Sequence, residues 1–291
     1  MQWIIAVTAL FLIPGLILTW FMAGSLVAAH PQVVGDAPAD LPAISISLYS
    51  ESGSCLAGWH IRSSGRRGVI VLVHPYRGCR LVMVNRARLL HSQGYSVVMV
   101  DLRAHGESSG SRVTIGYLER HDVKAAVEFA RTSHPNESIG VIGFSMGGVA
   151  TLLASPLHVD TIILESVYPD ICAAVTNRVR GKLGAFSAIP ILLLLVQLKP
   201  RLRASVSDLR PIDRLPEIDS PVLIMSGTGD RYTTEADTKA MFNAAVAPKE
   251  LWLIEDAGHE DLYEFVPRDY EKRLLSFLKQ HLPSAVTAQP A

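Results

Sequence analysis

Short apolar runs alternate with amphipathic segments along most of the chain. The apolar runs are rich in Val, Ile and Leu, and they lie at 68–75, 95–103, 138–145, 161–166, 221–230 and 250–258. Strands that are apolar on both sides are buried on both faces, as in parallel sheets. Helical segments fill the intervals at about 81–93, 115–132, 146–156, 233–246 and 267–281. This alternation predicts an α/β fold with a mainly parallel central sheet that is covered by helices on both faces.

The pattern differs at the start of this predicted domain. Residues 44–50 alternate apolar and polar side chains, which predicts a half-exposed strand, and residues 55–63 follow after a Ser-Gly turn. We expect these two segments to pair as a hairpin. The domain is therefore assigned to 44–282, with a linker rich in Pro, Asp and Ala before it at 31–43 and a short C-terminal tail at 283–291.

One long interval interrupts the alternation between the strands at 161–166 and 221–230. This interval, about 167–220, contains the apolar run LGAFSAIPILLLLVQL at 183–198. The run is short for a membrane span and contains a proline. We predict a helical lid insertion that packs on the sheet domain. The alternative is a lid that contacts a bilayer or lines a pocket for an acyl chain.

The first thirty residues are predominantly apolar and contain no Lys, Arg, Asp or Glu. About 20 apolar residues span a bilayer, so residues 1–30 predict a single-pass N-terminal transmembrane anchor. A cleaved signal peptide is an alternative, although it would have a shorter apolar core after a basic segment. A buried helix is another. The bare amino terminus inside, with Asp36 and Asp40 outside, favours a catalytic domain on the extracytoplasmic side.

Charge and cysteine content exclude several classes of function. The chain has 27 basic and 27 acidic residues, so no basic surplus points to nucleic acid. Its three cysteines are odd in number and widely spaced, which fits neither a disulfide framework nor a zinc site. No H-E-x-x-H motif and no Gly-Lys-Ser/Thr phosphate loop is present in the sequence. We therefore expect no metal and no nucleotide cofactor.

Ser145 lies in the sequence GFSMG, 143–147, between an apolar strand and a predicted helix. In this context G-x-S-x-G predicts a nucleophile elbow, a tight strained turn that exposes a serine hydroxyl at the end of a strand. The small neighbours leave room for the turn, and Met146 follows the serine as a predicted oxyanion donor through its backbone N–H. A glycine-rich crossover with an incidental serine is the plainer alternative.

A serine hydroxyl needs a neutral imidazole to take its proton and a carboxylate to hold that imidazole. Asp230 and His259 each lie at or just beyond the end of a late apolar run. Functional groups gather beyond the carboxyl ends of strands in such sheets. The chain order Ser145, Asp230, His259 therefore predicts a catalytic triad in the order that α/β-hydrolases use.

From about residue 44 to 282 the chain resembles the α/β-hydrolases. The segments HPYRG, DLRAHGES, GFSMGG, SGTGD and DAGHED occur in that superfamily's order. The chain is most similar to the branch described as serine aminopeptidase-like or lysophospholipase-like, which includes members with an N-terminal membrane segment. The resemblance implies the α/β-hydrolase fold and a serine hydrolase that works through an acyl-enzyme.

The resemblance also implies a second oxyanion donor in the loop after the strand at 68–75. Family members commonly carry His-Gly there, followed by the donor residue, whereas this chain has His74 and Pro75. Proline has no N–H and cannot donate. Tyr76 is the residue at the matching donor position, and Pro75 restricts His74 to extended geometry.

Two residues compete with the predicted triad. His105 lies beyond a strand end and is an alternative base, although a role in organising its loop is the plainer interpretation. Asp256 lies three residues before His259 and is an alternative acid partner.

Three further residues lie close to the predicted pocket. We expect His74 to organise its loop. Arg77 and Arg80 could bind an anionic headgroup or a carboxylate of the substrate, and solvated surface is the plainer interpretation for both.

The sequence therefore predicts a membrane-anchored serine hydrolase without a cofactor. Its substrate would be an ester or thioester with a lipophilic acyl group, because the predicted anchor and lid are apolar. An acyltransferase or an aminopeptidase on the same triad is the alternative reaction. A catalytically idle, membrane-tethered binding module is the alternative from another class. The predicted partners are a small-molecule or lipid acyl substrate and the membrane.

Overall fold

Strands and helices alternate through the computed structural model, which describes residues 2–246 and 248–282, with side chains from Pro14 onward. The strands are β1 (His30–Pro31), β2 (Ala43–Tyr49), β3 (Cys55–Ile61), β4 (Val69–Val73), β5 (Ser96–Val100), β6 (His105–Gly106), β7 (Ile139–Phe144), β8 (Thr161–Glu165), β9 (Val222–Gly227) and β10 (Lys249–Ile254). The helices are α1 (Gln2–Leu26), α2 (Val84–Ser92), α3 (Glu119–Ser133), α4 (Met146–Leu153), α5 (Ile171–Leu183), α6 (Ala188–Leu195), α7 (Leu198–Leu202), α8 (Glu235–Ala244), α9 (Leu262–Phe265) and α10 (Pro267–His281). Short 3₁₀ segments lie at Arg80–Met83, Gly184–Ser187, Val206–Asp208 and Pro211–Glu217.

The central sheet has eight strands in the order β10-β9-β8-β7-β4-β5-β3-β2. Strand β3 runs antiparallel to both β2 and β5, and all other neighbours in the sheet are parallel. The predicted hairpin is confirmed, because Ala43 pairs with Ile61 and Tyr49 with Cys55. The prediction of a mainly parallel sheet is confirmed as well.

The core lies on both faces of this sheet. On β4, the side chains of Val69, Val71 and Val73 pack on one face, and those of Ile70 and Leu72 pack on the other. The first face is covered by α3, α4 and α8, and the second by α2 and α10. Burying one such side chain is worth about 1.5–3 kcal/mol. Burial on both faces explains why these strands are continuously apolar in the sequence.

Helix α3 begins four residues later than the periodicity predicts. Ile115 and Gly116 have φ values of +56° and +96°, which no helical residue adopts. The buried carboxylate of Glu119 accepts hydrogen bonds from the backbone N–H groups of Thr114 and Gly116 at 2.7 Å and 2.9 Å. These bonds hold the preceding turn in its non-helical shape, so the helix begins at Glu119 itself.

The interval at 167–220, between β8 and β9, is largely helical and is called the insertion below. It contains α5, α6, α7 and three of the 3₁₀ segments. Its apolar run includes α6, in which Pro190 occupies the first turn, where a missing N–H costs no helical hydrogen bond. Among the large apolar side chains of this region, Leu183, Phe186, Ile189, Leu192 and Val196 are exposed.

The N-terminal segment packs against the domain. Helix α1 ends at Leu26, and β1 then pairs in parallel with β6. The backbone N–H groups of Val34 and Gly35 donate to the Glu107 carboxylate. The transmembrane prediction falls partly on residues 1–13, whose side chains lie outside the described part, and the predicted tail at 283–291 lies wholly outside it. Within the part of the chain that is described, no helix is both long and apolar enough to cross a membrane.

A buried ionic network ties α2 to the sheet and to the region after β10. The guanidinium of Arg86 donates to Glu165 through Nε at 3.0 Å and to both carboxylate oxygens of Asp261 at 2.8 Å. The hydroxyl of Tyr270 donates to Glu165 as well. Burial by itself would lower the pKa of Arg86, but the neighbouring carboxylates outweigh it and raise that pKa well above its usual range.

Replacing Arg86 by leucine leaves the buried Glu165 carboxylate without its cation. We expect the free energy of unfolding to fall by about 3–5 kcal/mol, the cost of breaking one side of a buried ion pair. Arg88→Leu on the same helix is the matched control, since it removes an exposed ion pair with Asp40 and an exposed hydrogen bond to Asn85 and should change stability little. Urea unfolding followed by circular dichroism compares the variants. If Arg86→Leu lowered the free energy of unfolding as little as Arg88→Leu does, the network would not be a stabilising element.

Candidate active site

Ser145 occupies a sharp turn between β7 and α4. Its φ is +50°, a backbone conformation that is costly for a residue with a side chain. Its backbone N–H donates to the carbonyl of Glu165 at 2.8 Å. A Cβ on Gly143 would lie only 2.6 Å from the Cα of Gly148, so the turn requires a glycine at that position. The arrangement has the form of a nucleophile elbow.

Three side chains form one continuous chain of hydrogen bonds. The Oγ atom of Ser145 lies 3.1 Å from Nε2 of His259, and Nδ1 of His259 lies 2.7 Å from Oδ2 of Asp230. A carboxylate can only accept a hydrogen bond, so Nδ1 carries the proton in the neutral imidazole and Nε2 is free to accept from the serine. The structure thus brings together the three residues that the sequence singles out as a triad.

The carboxylate of Asp230 is buried and held from both of its oxygens. Oδ1 accepts hydrogen bonds from the backbone N–H groups of Tyr232 and Thr233 at 2.7 Å and 2.8 Å, while Oδ2 accepts from the imidazole. The ring of Tyr232 packs edge-on against His259 at a centroid distance of 5.5 Å. These contacts fix the plane of the imidazole relative to the serine.

The alternative residues have other roles. His105 has both ring nitrogens engaged with backbone, because Nδ1 donates to the Arg103 carbonyl at 2.9 Å and Nε2 accepts from the Arg77 N–H at 3.2 Å. The N–H of Asp256 donates to Thr228, and the imidazole nitrogen that Asp256 would need is bound to Asp230. His105 therefore organises its loop, and Asp230, not Asp256, is the carboxylate that is hydrogen-bonded to His259.

His74 fixes the loop that carries Tyr76. Nδ1 donates to the carbonyl of Pro75 at 2.8 Å, and Nε2 accepts from the N–H of Leu102 at 2.9 Å. Burial lowers the pKa of this imidazole to about 3, so it is neutral at physiological pH. Its geometry is that of a loop-organising residue, as expected.

The two arginines of this loop differ from each other. Arg80 is buried and pairs with Asp101 and Glu107, while its guanidinium lies 4.6 Å from the ring of Trp59. Both interpretations of Arg80 are therefore wrong, because it is neither solvated surface nor free for an anionic substrate. The Nη2 atom of Arg77 donates to the carbonyl of Ser25 at 3.0 Å.

The predicted oxyanion donors border the same cavity as Ser145. Met146 is the first residue of α4, where backbone N–H groups have no acceptor within the helix. Tyr76 lies in a turn closed by a hydrogen bond of 3.0 Å from the Gly78 N–H to the Pro75 carbonyl. Both residues line the cavity, and their donor roles remain predictions.

An apolar cavity of about 140 Å³ adjoins Ser145. An engineered apolar cavity of about 150 Å³ accepts benzene, so this volume suits a group of roughly six carbon atoms. Three parts of the chain line it: the end of the N-terminal segment, the sheet domain and the insertion. The insertion contributes Tyr168, Ile171, Ala174, Val175, Arg178, Leu194, Gln197, Leu198, Arg201 and Leu202.

Known proteins share both the fold and part of the sequence. A family model described as serine aminopeptidase S33 matches residues 64–206. The Bacillus subtilis protein YqkD, which is uncharacterized, is 26% identical over 242 residues, covering 79% of this chain and 77% of that protein. The α/β hydrolase domain-containing protein 17C of Xenopus tropicalis is 26% identical over 256 residues, covering 84% and 73%.

The solved structure of the Pyrococcus furiosus esterase PF2001 aligns with a TM-score of 0.71 at 23% identity, covering 88% of this chain and 98% of that one. The chain has the α/β-hydrolase fold. The Exiguobacterium antarcticum esterase aligns with a TM-score of 0.60 at 18% identity, covering 81% of this chain and all of that one. The family match and the relatives support the α/β-hydrolase superfamily.

Sequence reasoning missed the support beneath the triad. Asp261 follows His259 by two residues, and the backbone carbonyl of Glu165 accepts the N–H of Ser145. The side chains of both acidic residues are hydrogen-bonded to Arg86. A signal for Arg86 does exist in the sequence. It lies at helical spacing from the apolar Met83 and Leu90, on the face of the segment that an amphipathic helix buries.

An alanine at position 143 tests the close packing of the turn at Ser145. Because its Cβ would collide with backbone rather than with a movable side chain, we expect Gly143→Ala to lower the free energy of unfolding by about 1–3 kcal/mol. Gly181→Ala is the matched control, since a Cβ there has no neighbour within 4 Å and an alanine favours helix α5 by about 0.5–1 kcal/mol. Thermal and urea unfolding of both variants measure the difference. A Gly143→Ala protein as stable as the parent would contradict the close approach.

The neutral His74 makes stability depend on pH. The imidazole of the unfolded chain takes up a proton below about pH 6.5, whereas that of the folded protein stays neutral. As the pH decreases, this group therefore lowers the free energy of unfolding by up to about 1.4 kcal/mol per pH unit. Since the folded pKa is about 3, the loss continues throughout the mildly acidic range. We expect His74→Gln to show a shallower fall than the parent between about pH 7 and pH 5. His158→Gln, at an exposed site, should retain the parent's slope, and a His74→Gln slope equal to that of this control would contradict a buried neutral imidazole.

Proposed function

We propose that this α/β hydrolase is a serine hydrolase that cleaves esters or thioesters of a lipophilic acyl group. The observation that carries the proposal is the unbroken hydrogen-bond chain from Ser145 through His259 to Asp230. A serine at hydrogen-bond distance from an imidazole that is oriented by a buried carboxylate is the arrangement required for nucleophilic acyl transfer.

The proposed reaction has two halves, the acylation and the deacylation of Ser145, and each catalytic group acts once in each half. The Oγ atom of Ser145 attacks the acyl carbonyl carbon while Nε2 of His259 accepts the hydroxyl proton. The backbone N–H groups of Met146 and Tyr76 stabilise the oxyanion, an interaction worth about 3–4 kcal/mol per donor in comparable sites. His259 then returns the proton to the leaving group, and Asp230 stabilises the imidazolium. Water releases the acyl group from Ser145 by the reverse sequence.

The cavity supports a lipophilic acyl group rather than an amino acid. Its walls are mostly apolar, and the charged side chains among its described lining residues are Arg178 and Arg201, with no carboxylate among them. A free amine would find two cations and no anion to pair with. The esterases among the solved relatives favour the same substrate class.

Aminopeptidase action is the second candidate, because the matching family model carries that description. The absence of a carboxylate among the described lining residues speaks against it. Aminoacyl p-nitroanilides and p-nitrophenyl esters, offered to the same preparation, distinguish the two reactions. Preferred hydrolysis of the anilides would replace our proposal with this one.

We propose further that the protein associates with a membrane through its N-terminal segment, with the catalytic domain on the extracytoplasmic side and the insertion acting as a lid. The support comes from the apolar composition of residues 1–30 and from the exposed apolar surface that α1 shares with α6. Leu18 and Phe21 on α1, and Ile189 and Leu192 on α6, are each more than half exposed. These two helices are in contact with each other. Fractionation of cells, followed by protease accessibility on intact and opened vesicles, tests both association and sidedness.

The acid of the triad is tested by two matched substitutions. We expect Asp230→Asn to lower kcat for p-nitrophenyl butyrate by about 10⁴-fold, because the amide can favour the wrong tautomer of the imidazole. Asp256→Asn should stay within about twofold of the parent, since a side chain outside the hydrogen-bond chain contributes no general-base catalysis. Ser145→Ala sets the background rate. If Asp256→Asn were the inactive variant, the carboxylate would be misassigned, and if Ser145→Ala kept the parent's rate, the serine mechanism would be wrong.

A further inference from the structure

The N-terminal helix forms part of the cavity beside Ser145. Ala23 and Leu26 of α1, together with Val27 directly after it, line the same apolar space as the serine. Ala23 is 7% exposed and so is enclosed by the rest of the protein. A tether that only held the domain near a membrane would leave the pocket walls to the domain itself.

The end of this helix is bound to the loop that carries the predicted oxyanion donor. The hydroxyl of Tyr76 donates to the carbonyl of Leu26 at 2.6 Å, and Nη2 of Arg77 donates to the carbonyl of Ser25 at 3.0 Å. The last carbonyls of a helix lack partners within the helix, so these two bonds satisfy groups that would otherwise need water. They fix the position of Ala23 and Leu26 relative to Ser145.

The insertion binds the same helix at residues that lie earlier in its sequence. The guanidinium of Arg201 lies 3.9 Å from the centre of the Trp20 ring and also donates to the Trp20 carbonyl. Nε2 of Gln197 donates to the hydroxyl of Thr19 at 3.0 Å, and both of these residues are buried. Helix α1 is therefore bound both to the loop that carries Tyr76 and to the insertion, with Ala23 and Leu26 against the cavity.

We propose that Ala23 and Leu26 determine which acyl chains the enzyme accepts, so that the N-terminal helix is part of the substrate site. This inference rests on the proposed function, since it names the acyl selectivity of the same site. A larger side chain at position 23 shortens the cavity, and a smaller one at position 26 enlarges it. The two changes are therefore expected to shift chain-length preference in opposite directions.

The test measures kcat/KM for p-nitrophenyl esters from acetate to decanoate, with full-length protein in mild detergent. A methylene that fits or is excluded changes kcat/KM by about 10-fold or more. We expect Ala23→Leu to lower the octanoate-to-butyrate ratio about tenfold and Leu26→Ala to raise it by a similar factor. Leu18→Ala is the matched control, because Leu18 is on the same helix, is 62% exposed and is not among the residues that line the cavity.

The outcomes separate this inference from the proposed function. Opposite shifts at positions 23 and 26, with an unchanged ratio for Leu18→Ala, support the helix as a specificity determinant. Hydrolysis that depends on Ser145, but with all three variants keeping the parent's ratio, overturns it and leaves the proposed function intact. If the parent hydrolyses no ester, the proposed function fails and this inference falls with it.

A variant that loses all ester hydrolysis is examined by reaction with a small fluorophosphonate. Retained reaction shows an assembled site with a blocked pocket, which supports the proposal, whereas lost reaction assigns the residue a structural role and overturns it.

Discussion

The ion pairs of Arg86 hold together the two loops on which the candidate active site depends. Its guanidinium binds the side chain of Glu165, whose backbone carbonyl accepts the N–H of Ser145. It also binds Asp261, which follows His259 by two residues. One buried cation thus connects the turn that carries Ser145 with the loop that carries His259. Removing charges from water is costly, and such an arrangement persists only where its geometry and hydrogen bonds compensate for that cost.

The same contacts explain how a strained backbone is maintained at Ser145. A positive φ on a serine is stable only if the surrounding structure determines it. Here the turn is held by the Glu165 carbonyl beneath it and by close backbone packing at Gly143. The hydroxyl is consequently presented to His259 without rearrangement. Preorganisation of this kind is what allows a site to act on a bound carbonyl group.

Much of the fold was predictable because it depends on local pattern. Continuously apolar strands indicated a sheet that is covered on both faces. The positions of Ser145, Asp230 and His259 at strand ends indicated their hydrogen-bond chain, because parallel strands bring their carboxyl ends to one edge of the sheet. The Arg86 network was not predictable, because its carboxylate partners Glu165 and Asp261 are remote in sequence from α2. The predicted start of α3 was wrong for a local reason, namely the left-handed backbone at Ile115. The contribution of Ala23 to the cavity depends on contacts of α1 with Tyr76 and Arg201. Both residues are remote from α1 in sequence, so hydrophobic periodicity does not indicate these contacts.

The cavity joins parts of the chain that the sequence suggested were separate. The segment interpreted as a tether and the insertion interpreted as a lid line one cavity beside Ser145, and the last turn of the tether is also hydrogen-bonded to Tyr76. Substrate selection and membrane association would then share one structural element. Under the proposed function, this arrangement lets a lipophilic ester pass from a bilayer into an apolar pocket without exposing the acyl group to water.

The measurement that tests an activated serine most directly is covalent labelling of the full-length protein with a fluorophosphonate probe, followed by mass spectrometry of the labelled peptide. We predict a single adduct on Ser145 that forms in the parent and is strongly reduced in His259→Ala, because the hydroxyl is a poor nucleophile without its base. A folded parent that remained unlabelled, or an adduct that mapped to another residue, would contradict the serine mechanism.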